Sequence, residues 1–193
     1  MLDISLPHKP VVMLRPDLSD LPGWTLPEGY TPVPWEPGME RGWCEIERAC
    51  GEFSTIDAAL ERFGWEFLPF PDLLRQRMWF ALSPDGEPVA TVTFWTGRHM
   101  GGSMSRIHWV ATHPDHQRRG VARGLLAEVL RRGAALAEGS VYLTSQTWSW
   151  PAIRLYKEAG FLPVYDRPAC WEGDWEPEVA WALIEEKLLG SAF

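Results

Sequence analysis

Cysteine is scarce in this chain, and the three that occur, Cys44, Cys50 and Cys170, are an odd number without metal-ligand spacing. We therefore expect no disulfide scaffold and no metal site, but free thiols in a reducing, cytoplasmic setting. Long apolar runs are missing too, since no stretch approaches the roughly 20 residues of a membrane span. Residues 1–10 lack the basic start and apolar run of a signal peptide. The sequence predicts a protein that neither spans nor binds a membrane.

Basic charge is also in short supply, because 18 lysines and arginines face 26 acidic residues and leave a net charge of −8. Nucleic acid requires a basic face, so it is not an expected partner. The balance is uneven: residues 1–100 hold 15 acidic and 8 basic side chains, whereas residues 101–193 hold 11 and 10. This asymmetry suits the binding of an anionic group by the second half, although solubility alone explains most of the acidic residues.

Proline is concentrated at the N-terminus, where residues 1–38 contain 8 of the 17 prolines. Proline fixes its own φ and restricts the preceding residue, which favours extended or turning backbone over helix. We predict a proline-rich N-terminal extension over residues 1–38, with a short strand near 30–34, followed by one domain over residues 39–193. A partly disordered arm over residues 1–20 is the alternative.

Beyond residue 38 the hydrophobic periodicity alternates between helix and strand. Ser54 can cap the second helix. The order predicts an α/β fold with a mixed, mostly antiparallel central sheet flanked by helices. The predicted helices are 38–51, 54–64, 72–76, 121–136, 149–159 and 178–189, and the predicted strands are 78–82, 89–95, 105–112, 141–147 and 161–165.

The loop that leads into the helix at residue 121 is basic and contains Gly120. A helix N-terminus presents unsatisfied N–H groups and the positive end of the helix dipole. Gly120 lets a ligand approach the backbone, and the small Ala122 does not obstruct it. The loop lacks the spacing of a dinucleotide motif and of a P-loop. We interpret it as a pyrophosphate cradle, with a simple basic helix cap as the alternative.

A second informative segment reads Ala-Ile-Arg-Leu-Tyr-Lys-Glu-Ala-Gly-Phe over residues 152–161, where Gly160 is placed to end the helix in a left-handed conformation. This segment, together with the Gln-x-x-Gly-x-Ala pattern of residues 117–122, resembles the signatures of the GNAT superfamily of CoA-dependent N-acyltransferases. The resemblance covers about residues 75–165.

The resemblance implies a GNAT-like acyltransferase fold, acetyl-CoA as co-substrate and a set of site residues. The pantetheine arm would pair with the strand that ends at residue 112, where that strand splays from the one over 141–145. Ser149 stands where an asparagine that helps to hold the pantetheine is common, and Tyr156 stands where a tyrosine protonates the departing thiolate. The implied cofactor-binding residues are Val110, Ala111, Thr112, Gln117, Arg118, Arg119, Gly120, Val121, Ala122, Arg123 and Ser149.

The chemistry of acyl transfer agrees with these positions. A backbone N–H near Val110 or Ala111 can stabilise the oxyanion of the tetrahedral intermediate. Histidine as a residue type can take up a proton near working pH, so His108 is the candidate base, with Glu45 or Glu47 acting through water as alternatives. Aromatic walls can hold an amine acceptor, and Trp109, Trp148 and Trp150 are the candidates, with core filling as their alternative role.

The sequence therefore predicts an acetyl-CoA-dependent N-acetyltransferase that acts on the primary amine of a small molecule by direct attack on the thioester. Two alternatives stay open: a protein lysine or N-terminal acetyltransferase, and a non-catalytic CoA-binding regulatory module. The expected partners are acetyl-CoA and an amine acceptor. A homodimer in which a second copy completes the sheet is a further option, because the final helix follows or replaces the last strands typical of the family.

Overall fold

The structure, a computed structural model, describes residues 2–136 and 139–190. Strands and helices follow one another in an α/β order, with short 3-10 turns at Pro114–His116 and Thr147–Ser149. The strands are β1 (Pro10–Arg15), β2 (Thr31–Pro34), β3 (Met78–Leu82), β4 (Pro88–Gly97), β5 (Met104–Thr112), β6 (Val141–Gln146) and β7 (Leu162–Pro163). The helices are α1 (Glu40–Ala49), α2 (Ile56–Glu66), α3 (Pro71–Arg77), α4 (Val121–Ala135), α5 (Trp150–Glu158) and α6 (Pro177–Gly190).

The strands form one sheet in the order β2-β3-β4-β5-β6-β1-β7. The pairs β2–β3, β3–β4, β6–β1 and β1–β7 are antiparallel. Strands β5 and β6 pair in parallel, with Ser105 opposite Val141 and Arg106 opposite Tyr142. The prediction of a mixed, mostly antiparallel sheet with flanking helices is confirmed.

The chain divides into two compact units. One unit, called here the terminal unit, comprises Met1–Leu21, Thr96–Arg106 and Ala137–Phe193. The other, called the central unit, comprises Pro22–Trp95 and Ile107–Leu136. Strands β4 and β5 each contribute residues to both units, so this division does not follow the predicted boundary at residue 38, which stays a prediction.

The core of the central unit is aromatic. Trp43 of α1 is fully buried. Its ring packs edge-on against Phe63 of α2 and against Phe67, the residue that follows α2, with ring centroids 5.3 and 5.9 Å apart. Edge-to-face packing of this kind adds to the hydrophobic gain from burial. Helix α2 begins at Ile56 because the Thr55 side chain accepts a hydrogen bond from the Ala58 N–H at 3.1 Å. The prediction that Ser54 caps this helix was wrong by one residue.

Helix α4 packs so closely against the backbone around residue 25 that a side chain at the contact would not fit. A Cβ atom at Gly124 would sit 2.5 Å from the Thr25 carbonyl oxygen and 2.5 Å from the Leu26 nitrogen. Backbone atoms cannot rotate away as a flexible side chain can, so this helix face requires glycine. The close approach fixes the position of the α4 N-terminal half within the central unit.

The core of the terminal unit includes a strand from the N-terminal segment. Val11, Val12 and Met13 of β1 are fully buried. The strand lies between two partners, pairing with β6 from Pro10 opposite Gln146 to Arg15 opposite Val141 and with the two residues of β7. Residues 10–15 therefore form an interior strand and not a disordered arm.

Arg15 connects β1 to the end of α5. Its buried guanidinium donates hydrogen bonds to the carbonyl oxygens of Ala159 and Asp20. Gly160 has a φ of 84°, which confirms the predicted left-handed helix end, and a Cβ there would overlap the Arg15 guanidinium. The glycine thus serves both the turn and the packing of a buried cation.

Among the helices of residues 2–136 and 139–190, none has both the length and the apolar character needed to cross a membrane.

The packing of α4 makes a prediction for stability. Gly124→Ala should lower the free energy of unfolding by about 1–3 kcal/mol, the usual cost of overpacking, because the new methyl group meets backbone atoms. Gly64→Ala is the matched control: Gly64 lies within α2, and a Cβ there meets nothing within 4 Å. This control should raise the free energy by about 0.5–1 kcal/mol through helix propensity. Urea denaturation measures both, and the same sign for both variants would contradict the packing described.

Candidate active site

The turn that precedes α4 is exposed and unusually shaped. Arg118 and Gly120 both have left-handed backbone, with φ values of 57° and 88°. Gly120 is the N-cap residue, and it has no side chain to bond the first N–H groups of the helix. The Gly124 N–H makes the first intrahelical bond to the Gly120 carbonyl at 3.0 Å. The preceding N–H groups at residues 121–123 have no carbonyl partner one turn earlier in the helix, as at any helix start.

The side chains around this turn suit an anion. Arg118, Arg119 and Arg123 are exposed, and the Arg123 guanidinium lies 4.8 Å from the centre of the Trp24 ring. Gln117 points its amide back to the strand and donates to the Thr112 carbonyl at 2.9 Å. The structure thus brings the predicted residues 117–123 onto one turn with open backbone amides and positive charge.

The last residue of strand β5 has a buried hydroxyl without a hydrogen-bond partner. Ala111 and Thr112 are buried, and the Thr112 hydroxyl has no hydrogen-bond partner. The Thr112 carbonyl accepts a second hydrogen bond, from the Cys50 thiol at 3.2 Å. Burial is the largest cause that raises the pKa of Cys50 to about 11, so the thiol keeps the proton that it donates. An unsatisfied buried hydroxyl is costly, which makes this strand end a fitting place for a polar ligand.

The backbone of β5 is distorted at Trp109, whose φ is 50°. A left-handed conformation is a genuine outlier for a bulky aromatic residue and is stored where other contacts hold it. The Trp109 ring stacks on Phe53 at 5.7 Å and meets Trp43 edge-on at 5.2 Å. These contacts place Trp109 against the aromatic core of the central unit.

The last residue of α2, Glu66, meets the candidate base. Its Oε1 lies 2.5 Å from His108 Nε2, and its Oε2 accepts hydrogen bonds from Arg62 Nε at 2.7 Å and Trp109 Nε1 at 3.1 Å. Burial alone would raise the pKa of Glu66, but the hydrogen bond and charge of His108, with the bonds from Arg62 and Trp109, lower it to about 2. Glu66 is therefore a carboxylate at any working pH.

Glu66 is not among the site residues predicted from the sequence. It lies 42 positions from His108, and its only local signal is the pairing with Arg62 four residues earlier on the same helix. Such pairs are common on exposed helix faces and do not indicate a site.

The two alternative bases of α1 differ sharply. Glu45 is half-exposed and pairs with Arg41 at 2.8 Å. Glu47 is only 1% exposed, and its Oε1 has no hydrogen-bond partner. Burial, with a contribution from the charge of Glu52, raises the pKa of Glu47 well above its ordinary value. The direction of this shift favours the protonated carboxyl, which cannot accept a proton, and so weakens the case for Glu47 as the base.

The candidate residues of the terminal unit lie at the connection from β6 to α5. Tyr156 is 6% exposed and its ring meets Phe161 edge-on at 6.1 Å. Ser149 precedes α5, but its side chain caps nothing, contrary to prediction. Its φ and ψ of −96° and 25° lie outside the extended region that capping requires, and Pro151, in the first turn, has no N–H to offer.

Both tryptophans near this connection bind the N-terminal segment. Trp148 Nε1 donates to the Leu6 carbonyl at 2.7 Å, and Trp150 Nε1 donates to Asp3 Oδ2 at 3.1 Å. These contacts anchor the segment before β1. A role of the two rings in acceptor binding stays a prediction.

Two other histidines, His99 and His116, each lie beside a tyrosine hydroxyl. His99 Nδ1 lies 2.9 Å from the Tyr142 hydroxyl, and His116 Nδ1 lies 2.9 Å from the Tyr30 hydroxyl. The part of the chain that the structure describes contains no group of three or more His, Cys, Asp or Glu side chains that could hold a metal ion.

The buried side chain of Glu47 leads to a prediction for how the free energy of unfolding depends on pH. Its pKa is raised in the folded state, whereas the unfolded chain ionises it near 4.5. Folding therefore binds a proton, and the stabilising contribution is lost as pH rises above 4.5. Glu47→Gln removes this penalty, so the variant should gain stability over the wild type by up to about 1.4 kcal/mol per pH unit above that value.

Urea denaturation between pH 5 and pH 8 checks this. Glu45→Gln, on the exposed face of the same helix, is the control and should change stability by less than about 0.5 kcal/mol at every pH. A difference between Glu47→Gln and wild type that stays constant from pH 5 to pH 8 would show that Glu47 is ionised in the folded protein.

Comparison with known proteins places this geometry in a family. Residues 41–161 match the profile of the Acetyltransferase (GNAT) family. A GCN5-related N-acetyltransferase from Sphaerobacter thermophilus is similar in structure, with 28% sequence identity and a TM-score of 0.62 over 81% of this chain and 50% of that one. Among curated proteins no significant match was found.

Two more solved structures share the fold. A GCN5-related N-acetyltransferase from Kribbella flavida has 19% identity and a TM-score of 0.54, covering 80% of this chain and 54% of its own. A GNAT-family acetyltransferase from Colwellia psychrerythraea has 10% identity and a TM-score of 0.61, covering 82% and 55%. The chain thus spans about half the length of these structures. The family profile covers more than half of the chain and lies over the turn before α4, strand β5 and helix α5, and the chain belongs to the GNAT family of acetyltransferases.

Proposed function

We propose that this protein transfers the acetyl group of acetyl-CoA to the primary amine of a small molecule. The observation that carries the proposal is the turn before α4, where Gly120 leaves the first helical amides without a capping side chain beside three exposed arginines. Pyrophosphate is the part of coenzyme A that such a turn suits, because it combines negative charge with several acceptor oxygens. Residues 1–100 carry an excess of acidic side chains, whereas this basic turn lies in the second half of the chain.

Strand β5 is the proposed support for the thioester end. The pantetheine arm carries amide groups that can pair with the backbone of Val110, Ala111 and Thr112. The φ of 50° at Trp109 lies outside the extended range that a regular strand ladder requires. An N–H group freed from sheet pairing at Val110 or Ala111 can donate to the oxygen on which negative charge develops.

The proposed reaction needs two proton transfers. The neutral amine nitrogen attacks the thioester carbon, forming the C–N bond, and collapse of the tetrahedral intermediate breaks the C–S bond. His108 takes the proton that the amine nitrogen loses, and the Tyr156 hydroxyl gives a proton to the departing thiolate. No covalent enzyme intermediate is required.

A protein acceptor is the second candidate, and one observation favours it. The end of α2 and the segment after it expose Trp65, Leu68 and Phe70, at 71%, 45% and 54% of their surface. Exposed apolar side chains close together in sequence are common where a macromolecule docks. The third candidate, a CoA-binding module without turnover, draws support only from Ser149, which neither matches the usual asparagine nor caps α5.

For the setting we propose the reducing cytoplasm, on the ground that Cys44, Cys50 and Cys170 are all free. The chain's own β1 lies between β6 and β7, so a second copy is not needed to supply a strand there. A homodimer therefore stays a prediction without structural support.

An acceptor screen with acetyl-CoA tests the proposed function. Release of the coenzyme A thiol is followed with a panel of small aromatic and aliphatic primary amines, and with lysine-containing and free N-terminal peptides at equal amine concentration. The proposal expects turnover with a small amine. Turnover with peptides alone would favour the protein acceptor, and binding of coenzyme A without turnover on any amine would favour the regulatory module.

Tyr156→Phe separates catalysis from binding in the same assay. The variant keeps the ring that packs against Phe161 and loses only the hydroxyl, so we expect kcat to fall by roughly 100-fold or more, with unchanged affinity for coenzyme A. Equal loss of turnover and affinity would assign Tyr156 to binding instead.

A further inference from the structure

Two neighbouring residues of β5 bond the same carboxylate. His108 Nε2 lies 2.5 Å from Glu66 Oε1, and Trp109 Nε1 lies 3.1 Å from Glu66 Oε2. In a regular strand, successive side chains point to opposite faces of the sheet and could not converge on one partner. The left-handed φ of 50° at Trp109 removes this alternation. The strained backbone is therefore tied to the convergence of both side chains on Glu66.

The carboxylate receives three donors, one from α2 and two from β5. Arg62 lies one helical turn before Glu66 and donates to Oε2 at 2.7 Å, so Glu66 receives Arg62, Trp109 and His108 on two oxygens. The side chains of His108 and Glu66 are only 10% and 13% exposed. Water competes poorly for these bonds at such burial, and their geometry is correspondingly well defined.

An ionised carboxylate can only accept hydrogen bonds, so Glu66 determines which nitrogen of the His108 ring carries the hydrogen. Glu66 is ionised, so the bond at 2.5 Å requires His108 Nε2 to carry the hydrogen. In the neutral ring the lone pair then belongs to Nδ1. Arg62 balances the charge of Glu66, so the carboxylate does not need a second permanent cation on the ring.

We propose that Glu66 is a positioning residue that fixes the His108 ring with Nε2–H toward α2 and thereby makes Nδ1 the atom that accepts the amine proton. This inference rests on the proposed function, in which His108 is the base. The proton moves from the attacking amine nitrogen to Nδ1, while the Nε2–H bond to Glu66 is retained and strengthened by the positive charge that forms on the ring. Glu66 and Phe67 face the ring from α2 and its end, and Arg62 acts on the ring through its bond to Glu66. From β5, the indole of Trp109 faces the ring.

Glu66→Gln is the informative substitution because it keeps the size of the side chain and halves its acceptor oxygens. One amide oxygen cannot serve Arg62, Trp109 and His108 together, and the amide NH2 requires an acceptor. We expect the amide to turn its NH2 toward His108, which draws the lone pair to Nε2 and the hydrogen to Nδ1. Nitrogen-15 chemical shifts of the His108 ring report this change of tautomer directly and do not depend on any activity.

In kinetics, we expect Glu66→Gln to lower kcat by roughly 100-fold, within the range that general base catalysis contributes, with little change in the KM for acetyl-CoA. The carboxylate stabilises the protonated ring, so without it the ring loses its proton at lower pH. The acidic limb of the profile of kcat/KM against pH should therefore move to lower pH. Glu66→Asp keeps the charge and should retain the wild-type limb with part of the activity.

Glu61→Gln is the matched control, since Glu61 is an exposed residue of the same helix and undergoes the same change of charge. It should leave the kinetics and the His108 tautomer as in the wild type. A Glu66→Gln variant that keeps the Nε2–H tautomer, or that loses activity with an unmoved acidic limb, would overturn the inference and reduce Glu66 to a structural role. Failure of the wild type to acetylate any amine would refute the proposed function, whereas the tautomer measurement would still decide whether Glu66 sets the ring.

Discussion

The structure of the site depends on one open helix end. Helix α4 begins at Val121 behind a glycine with left-handed backbone, so its first amides are not closed by a capping side chain. Gln117 ties the same turn to the end of β5 through the Thr112 carbonyl. Within the central unit, the contact of Gly124 with the backbone at residues 25–26 holds the helix in place. A ligand gripped at these amides would therefore lie in a fixed direction relative to the strand that precedes them.

The second constraint is the distortion of β5 at Trp109. It lets two adjacent side chains reach Glu66, and three residues later the buried Thr112 hydroxyl has no hydrogen-bond partner. The cost of a left-handed tryptophan is of order 1–3 kcal/mol, which the aromatic core around Trp43 and Phe53 can offset. Of the two acidic groups, Glu66 bonds the His108 ring and has a lowered pKa, whereas burial raises the pKa of Glu47.

Local patterns sufficed to predict much of this. The helices and strands from residue 40 onward lie close to their predicted positions because each carries its own periodicity and its own breakers, such as Gly160 with its left-handed φ. The turn of residues 117–123 was predicted for the same reason. Two features had no local signal. The interior position of β1 depends on pairing with β6, more than 120 positions later, and the bond between Glu66 and His108 spans 42 positions. Ser149 failed as a cap because the prediction considered residue type and not the backbone conformation.

Titration calorimetry with coenzyme A tests the central claim, that the amides opening α4 bind its diphosphate. Gly120→Ala adds a methyl group at the turn, and Gly86→Ala imposes the same left-handed strain in the turn between β3 and β4, since the two φ values are 88° and 85°. The account predicts that wild type and Gly86→Ala bind coenzyme A equally, and that Gly120→Ala binds at least about tenfold more weakly, a loss of about 1.4 kcal/mol. Absence of binding heat in the wild type, or equal binding by Gly120→Ala, would contradict it.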